Sequence, residues 1–525
     1  MKDKFLIKNA IIYPAAAKTK VYQCLVVSDG EIIAAGDNQL SKDWESRVSA
    51  SYDLEGCVIF PGFTDAHIHL EKYAYSLDQV DCETLSVEAC LERIQAATSS
   101  ASPGSWIRGH GWNQNTWGRF GTLEELDAIT PDHPVYLTAK SLHAAWCNSV
   151  ALNVCDIDRS NFPGGRIGTN PDGSLNGILF EDAMKLVSEN IPRPTLSETI
   201  ALILKAQDRL LHFGITSIHD FDGQRCFSAL QELQRSGELN IRVVKNIQRE
   251  QLDAIEMLGL RSGFGNQWLS IGHLKLFADG ALGPQTAAML EPYENQPENM
   301  GLLLLDRDQV VSIGRRAIEN GLPLSVHAIG DQACQTVIKA LMDLDSIDQE
   351  PHLPHRIEHL QIVHPADLEY LSEANITISM QPLHAPSDHP TADRFWGERS
   401  RWAYAWQSVL RTGSLLVFGS DAPVETPDPF QGVYAAVDRK LISEDPSSPT
   451  WIPEERIDLQ AALESYMVKP HSAVGWDHQL GQLEEGYLAD LIVLDQDPYA
   501  VPSTDLHQIK VKGAMTGGIW RFLEL

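Results

Sequence analysis

The chain lacks the marks of a secreted, membrane-bound or nucleic-acid-binding protein. Its eight cysteines, at positions 24, 57, 82, 90, 147, 155, 226 and 334, include no Cys-x-x-Cys pair. Over 525 residues that is no disulfide framework, and reduced, mostly buried thiols are expected. No apolar run approaches the ~20 residues of a membrane span. The opening Met1-Lys-Asp-Lys-Phe-Leu-Ile-Lys-Asn9 has no uninterrupted apolar core of the kind a signal peptide needs. Positive charge is scarce: 41 Lys and Arg against 71 Asp and Glu leave a formal net charge of −30, spread without a long acidic block. Such a surface favours solubility and repels nucleic acid and anionic membrane. Internal repeats and low-complexity segments are missing too. The expectation is a soluble, cytoplasmic protein whose partner is a small-molecule substrate, with no nucleic acid and no membrane.

What is present is an ordinary globular composition, 43% hydrophobic and 21% charged, long enough for one large domain and a smaller one. The two ends resemble each other in type. Residues 5–36 read as short strands broken by turns, with Asp29-Gly30 between two apolar runs as a hairpin signal. Residues 481–522 repeat the pattern through Gly481-Gln-Leu, Gly486-Tyr-Leu-Ala-Asp490, Leu491-Ile-Val-Leu, Ile509-Lys-Val-Lys and Gly518-Ile-Trp. The expected arrangement is a composite β-sandwich of residues 1–57 and 471–525 around a central domain of residues 58–470.

The centre alternates short apolar strands with longer helical patterns, which predicts a parallel α/β fold. The strand candidates are Val58–Phe60 leading to His67, Ile215–His219, Ile241–Val244 and His273–Phe277, then Leu322–His327, His355–His359, Ile376–Met380 and Leu415–Asp421. Eight such units suit a (β/α)8 TIM-type barrel, whose chemistry sits at the C-terminal strand ends. The stretch from about 71 to 210 is too long for a simple crossover. It is expected to be an insertion folded over the barrel mouth.

The chemistry begins at Phe60-Pro-Gly-Phe-Thr-Asp-Ala-His-Ile-His-Leu70. On a strand, residues i and i+2 share a face, so His67 and His69 can reach one metal ion, whereas a helix would set them about 200° apart. Further strand ends offer Lys275, His327, His359 and Asp421. Three or more nitrogen and oxygen donors around an open position make a catalytic Zn²⁺-type site. Each also has a plain alternative: a backbone partner for His327, a pairing with Glu358 for His359, a helix cap for Asp421. Only the set, in strand order, favours metal.

With those residues in view, His67-Ile-His69, His327, His359 and Gly419-Ser-Asp421-Ala-Pro resemble the amidohydrolase superfamily. The similarity is to its branch of large metal-dependent hydrolases typified by N-substituted formamide deformylase. Gly109-His-Gly-Trp112, Asp132-His-Pro-Val-Tyr-Leu137, Gly214-Ile-Thr-Ser-Ile-His-Asp220, Lys275-Leu-Phe-Ala-Asp-Gly280, Glu425-Thr-Pro-Asp-Pro-Phe430 and Gly481-Gln-Leu-Glu-Glu-Gly-Tyr-Leu-Ala-Asp-Leu491 match as well, covering about residues 5–522. One departure is Tyr466-Met-Val, where family members more often place Thr after the Tyr.

The resemblance implies a barrel with a sandwich built from both termini. It implies that His67 and His69 bind the more buried metal, with Asp421 as its ligand and as the general base that takes a proton from water. His327 and His359 would bind a second metal or the substrate carbonyl, and Lys275 would bridge two metals as a carbamate. A single metal with a structural Lys275 stays open. Zn²⁺ fits the donors, and Mn²⁺, Fe²⁺ and Co²⁺ bind the same types. The implied reaction is hydrolysis of an amide, formamide or carbamate C–N bond. A heterocycle deaminase or cyclic-amide hydrolase on the same site, and an inactive scaffold, are the alternatives. Candidate substrate contacts are His110, Trp112, His143, Glu181, Asp279, His384 and Trp396, with the two tryptophans as an apolar wall or as packing. A homodimer is the default for a soluble enzyme.

Overall fold

Eight strands lie side by side in sequence order and in parallel: Phe63–Ile68, Ile215–Asp220, Arg242–Gln248, Leu269–Phe277, Leu324–Ala328, His355–His359, Ile376–Met380 and Leu415–Phe418. The first and last meet at their C-terminal ends, where the Asp421 amide donates to the His67 carbonyl at 2.7 Å and the His69 amide to the Ala422 carbonyl at 3.0 Å. That closure makes the (β/α)8 barrel. The strands are buried nearly throughout, as continuous apolar runs covered by helices require. The helix Arg307–Glu319 shows the pattern. A capping box of Asp306 and Gln309 starts it, and Val310, Gly314, Ala317 and Ile318 form its buried stripe. This computed structural model describes residues 4–142, 144–157, 165–192, 194–345, 353–443 and 447–524.

The expected first strand from Val58 to His67 is two strands. Val58–Pro61 pairs with Ile11–Ile12 and with Leu491–Leu494 in the terminal sandwich, and the barrel begins at Phe63. Pro61-Gly62 makes the break. A side chain at Gly62 would meet Thr216 Oγ1 at 2.1 Å, so the chain passes from sandwich to barrel at a residue that must be glycine. The sandwich therefore extends four residues beyond the expected limit of 57.

Two sheets form the sandwich. One has four strands, Glu31–Gly36, Cys24–Ser28, Lys4–Lys8 and Ala50–Asp53; the other has five, Ile11–Ile12, Val58–Pro61, Leu491–Leu494, Val511–Thr516 and Ile519–Leu523. Ile7, Leu25, Val27, Ile59, Leu491, Val493 and Met515 fill the space between them without exposed surface. Asp29 and Gly30, at φ 53° and 84°, make the expected hairpin between Cys24–Ser28 and Glu31–Gly36. The segments at Gly481 and Gly486 are not strands.

Asp490 ties the sandwich to the barrel. Its carboxylate accepts from Arg242 Nε at 2.6 Å and Nη2 at 2.8 Å and from the Gly517 amide at 2.7 Å, and both side chains are buried. Removing one member of a buried pair strands the other charge. Asp490→Ala is therefore expected to destabilise the protein by about 3–5 kcal/mol, measured as a lowered unfolding midpoint in a thermal scan.

The chain divides into two compact units, Met1–Leu70 with Leu204–Leu525, and Glu71–Ile203. The second falls within the stretch of about 71–210 that the sequence sets apart. It is built on a six-stranded sheet in the order Gly165–Thr169, Leu175–Glu181, Ala144–Cys147, Val135–Ala139, Ile107–Trp112, Val80–Asp81, with apolar clusters of its own. Among the described residues no helix is long and apolar enough to cross a membrane.

Candidate metal centre

Alternation along the first barrel strand sends Asp65, His67 and His69 to one side. His67 Nε2 and His69 Nε2 converge on Asp421 Oδ1, at 3.6 and 3.5 Å. Those separations are long for hydrogen bonds. Two donors about 2.1 Å from one tetrahedral ion stand roughly 3.4 Å apart, so they suit shared coordination. His67, His359 and Asp421 each place a donor atom within 4.8 Å of the others, and the rings of His327 and His359 lie 4.6 Å apart. Lys275 Nζ lies 4.6 Å from the Phe221 ring and 4.9 Å from that of Phe277.

Each of the four histidines engages one ring nitrogen with an acceptor. His67 Nδ1 meets Glu358 Oε2 at 2.6 Å, His69 Nδ1 meets Asp222 Oδ1 at 3.0 Å, and His359 Nδ1 meets Gln381 Oε1 at 2.8 Å. His327 Nε2 meets the Gly280 carbonyl at 2.9 Å. These acceptors make the engaged nitrogens donors, which leaves a lone pair on the other nitrogen of each neutral ring. For His67 that second nitrogen, Nε2, is buried without a hydrogen-bond partner. A divalent cation supplies what this donor set lacks, so the residues fit a metal.

Protonation agrees. Burial, and then the Lys275 charge, brings His67 down to about 4 and His327 to about 3; burial and then His327 hold His359 well below its ordinary value. Burial works to raise Asp421, but the nearby His67, His359 and His69 outweigh it and hold the carboxyl low. Neutral imidazoles beside an ionised carboxylate are the form that binds metal.

The same shifts have a consequence for stability. The folded values of His67 and His327, with His355 and His471 at about 4 and His273 at about 3, lie below the unfolded value of 6.5. The unfolded chain therefore takes up protons first, and stability falls as pH drops from about 6.5 toward 3–4. Asp65 and Asp279, raised by burial to about 7, act in the opposite sense, but five histidines outweigh two carboxyls. Melting temperatures of chelator-treated protein should decline over that window; a flat profile would contradict the neutral cluster.

Several supporting residues escape a reading by motif. Glu358 serves His67 and not the adjacent His359. It also accepts from Ser325 Oγ at 2.6 Å and Arg356 Nε at 2.8 Å. Strand periodicity puts residues 358 and 359 on opposite faces; positive φ at His359 and Leu360, 77° and 41°, turns the chain so that His359 also faces the site. Asp65 Oδ1 accepts the amides of His67 and Ser420 at 3.1 and 3.0 Å, joining the strand ends that carry His67 and Asp421. Gly419 lets them close, since a Cβ there would meet the His67 nitrogen at 2.4 Å. A second acidic group, Asp220, Asp222 and Cys226, already has a cation. Lys245 Nζ lies 2.7 Å from Asp220 Oδ2 and donates to the Asp222 carbonyl, and the group thereby braces His69.

The other candidates divide. His384 has its ring 6.4 Å from that of His359, and its Nε2 is buried without a partner. Asp279 lies 3.6 Å from His327 Nε2 but accepts the amides of Ala288, Ile329 and Gly330, which makes it an organiser of the surrounding loops. Trp396 and Trp112 have no exposed surface. Each is core packing, not an apolar wall for a ligand, and the Trp112 indole nitrogen donates to the Leu137 carbonyl at 2.8 Å. His110 and Glu181 belong to the insertion unit, where His110 Nδ1 meets Thr138 Oγ1 at 2.9 Å and Glu181 ends Leu175–Glu181. His143 lies outside the described residues.

Comparison with known proteins agrees with this geometry. The family model described as the amidohydrolase family matches residues 51–519. The chain is 30% identical to YtcJ of Bacillus subtilis (strain 168), which carries the name amidohydrolase, over 97% of this chain and 98% of that one. It is 24% identical to the N-substituted formamide deformylase of Arthrobacter pascens, over 99% and 98%. Among solved structures, an uncharacterized metal-dependent hydrolase from Pyrococcus horikoshii OT3 superposes with a TM-score of 0.80 at 30% identity, over 95% of this chain and 99% of that one. A closed barrel, four histidines each with one lone pair aligned by a partner, a carboxylate between two of them and a family match across most of the length lead to one conclusion: the chain belongs to the amidohydrolase family, as a metal-dependent hydrolase.

Proposed function

We propose that the chain hydrolyses a non-peptide C–N bond, in an amide, an N-substituted formamide or a carbamate. The observation that carries the reading is the convergence of His67 Nε2 and His69 Nε2 on Asp421 Oδ1, beside two further histidines with a lone pair each. His67, His69 and Asp421 are assigned to one divalent ion, most simply Zn²⁺. His327 and His359, with Lys275 as a carbamate, are assigned to a second. A bound divalent ion lowers the pKa of water from about 15.7 toward 7 and polarises a carbonyl.

The chain's own residues do the rest. Asp421 accepts a proton from water at its carboxylate and returns it to the departing amine, the role a positioned, ionised carboxylate can fill. Glu358 and Asp222 hold His67 and His69 in the tautomers that leave Nε2 unprotonated. His384, whose Nε2 is buried without a partner near His359, is assigned as the donor to the substrate's carbonyl oxygen. Deformylation of N-substituted formamides is the activity named for the Arthrobacter relative, and it gives the first substrates to try.

The test is a panel of N-formyl amines, N-acyl amines and carbamates, with amino-substituted heterocycles beside them, given to metal-replete protein. Release of a free amine that stops with a chelator and returns with added metal supports the reading. Release of ammonia from the heterocycles alone would replace it with deamination.

A further inference from the structure

The fourth barrel strand, Leu269–Phe277, buries its first eight residues and exposes the ninth. That ninth residue is the aromatic one: Phe277 is 45% exposed. Alternation puts Phe277 on the same face as Lys275. Its ring lies 5.2 Å from that of His327, and the Lys275 ammonium 4.9 Å from its centroid. One face of Phe277 therefore borders the metal centre while the ring stays open to solvent. The chain after it returns to the same place. The Leu304 amide donates to the Ala278 carbonyl at 2.7 Å, and Leu302 and Leu304 are exposed as well. Exposed apolar side chains gathered beside a polar site mark a ligand surface, because a ligand recovers the hydrophobic free energy left unused.

We propose that Phe277, with Leu304 beside it, forms a specificity subsite that receives an apolar, aromatic or branched substituent on the amide nitrogen. The inference rests on the C–N hydrolase reading and deepens it. The polar histidine cluster takes the carbonyl, and the ring next to His327 takes what is attached to the nitrogen. Small N-alkyl amides leave the ring bare and gain nothing from it. Substrates with a larger apolar group cover it.

The test compares N-methyl with N-(2-phenylethyl) members of the formamide and acetamide series in wild-type, Phe277→Ala and Phe277→Leu proteins, each checked for metal content by mass spectrometry. The wild type should favour the phenylethyl compounds. Phe277→Ala should lower that preference in kcat/KM by about tenfold, through KM and with metal content unchanged, and Phe277→Leu should keep most of it. An unaltered preference, or an equal loss on both compounds, overturns the subsite. Calorimetric binding of the same compounds separates the two claims. If the wild type cleaves none of them, hydrolysis of these formamides and acetamides fails as its activity, yet tighter binding of the phenylethyl compound that Phe277→Ala abolishes still supports the subsite. A change in sedimentation on Phe277→Ala with selectivity intact would assign the ring to contact between copies of the chain, and overturn the subsite.

Discussion

Asp421→Asn is expected to lower turnover by about 10²–10⁴-fold, the range for loss of a positioned acid–base group, while the protein stays folded and keeps most of its metal. The carboxamide has nearly the shape of the carboxylate and retains one oxygen where Oδ1 meets His67 and His69. It cannot accept a proton. The fold does not depend on the charge, because the barrel is closed here by backbone hydrogen bonds between residue 421 and His67 and between His69 and Ala422, and by Asp65 holding Ser420. Asp421 is also at φ 58°, a left-handed conformation that Asn tolerates as well as Asp does. Circular dichroism, metal content and turnover of whichever substrate the panel yields read the three parts separately. Full activity in this variant would remove Asp421 as the base.

His67→Ala is expected to weaken metal binding by at least about 100-fold, since loss of a group that merely orients a ligand already costs 10–100-fold. Activity should fall with it. The effect is predicted to be local. Glu358 loses the imidazole but keeps Arg356 and Ser325, so its charge is not stranded. Chelator competition on the folded variant measures the loss, and wild-type affinity would exclude His67 from the ligand set.

Much of this was legible in the sequence, for physical reasons. Apolar runs ending in His, Lys or Asp mark strands buried along their length that expose polar donors at one end, so the barrel and its six candidate ligands could be read together. The Leu-Ala-Asp490-Leu pattern was legible as a signature but not as a cause; the structure shows Asp490 pairing with Arg242 across the sandwich–barrel boundary. Strand limits at Pro61-Gly62 could not be read, because the apolar pattern runs on while the hydrogen-bond partners change. Glu358 and Asp222 escape a reading by motif because they meet their histidines across 291 and 153 residues of sequence, and Gln381 because it lies just past the end of the next strand, 22 residues after His359. Adjacency offers Glu358 only as an alternative partner for His359; the contact with His67 Nδ1 and the positive φ at His359 reveal that the two residues serve different neighbours. Asp65 could have been found, two residues before His67 on the same strand face. For Trp112 and Trp396 the sequence leaves wall and packing open, and their full burial favours packing.

The central claim is that these histidines and Asp421 hold catalytic metal. It is tested most directly by metal analysis on protein purified without added metal or chelator, together with intact mass under bicarbonate. The expected result is stoichiometric divalent metal that His67→Ala loses, with two ions per chain accompanied by the mass of one added CO2 on Lys275. Protein that stays folded and takes up no divalent metal even after reconstitution would contradict the account.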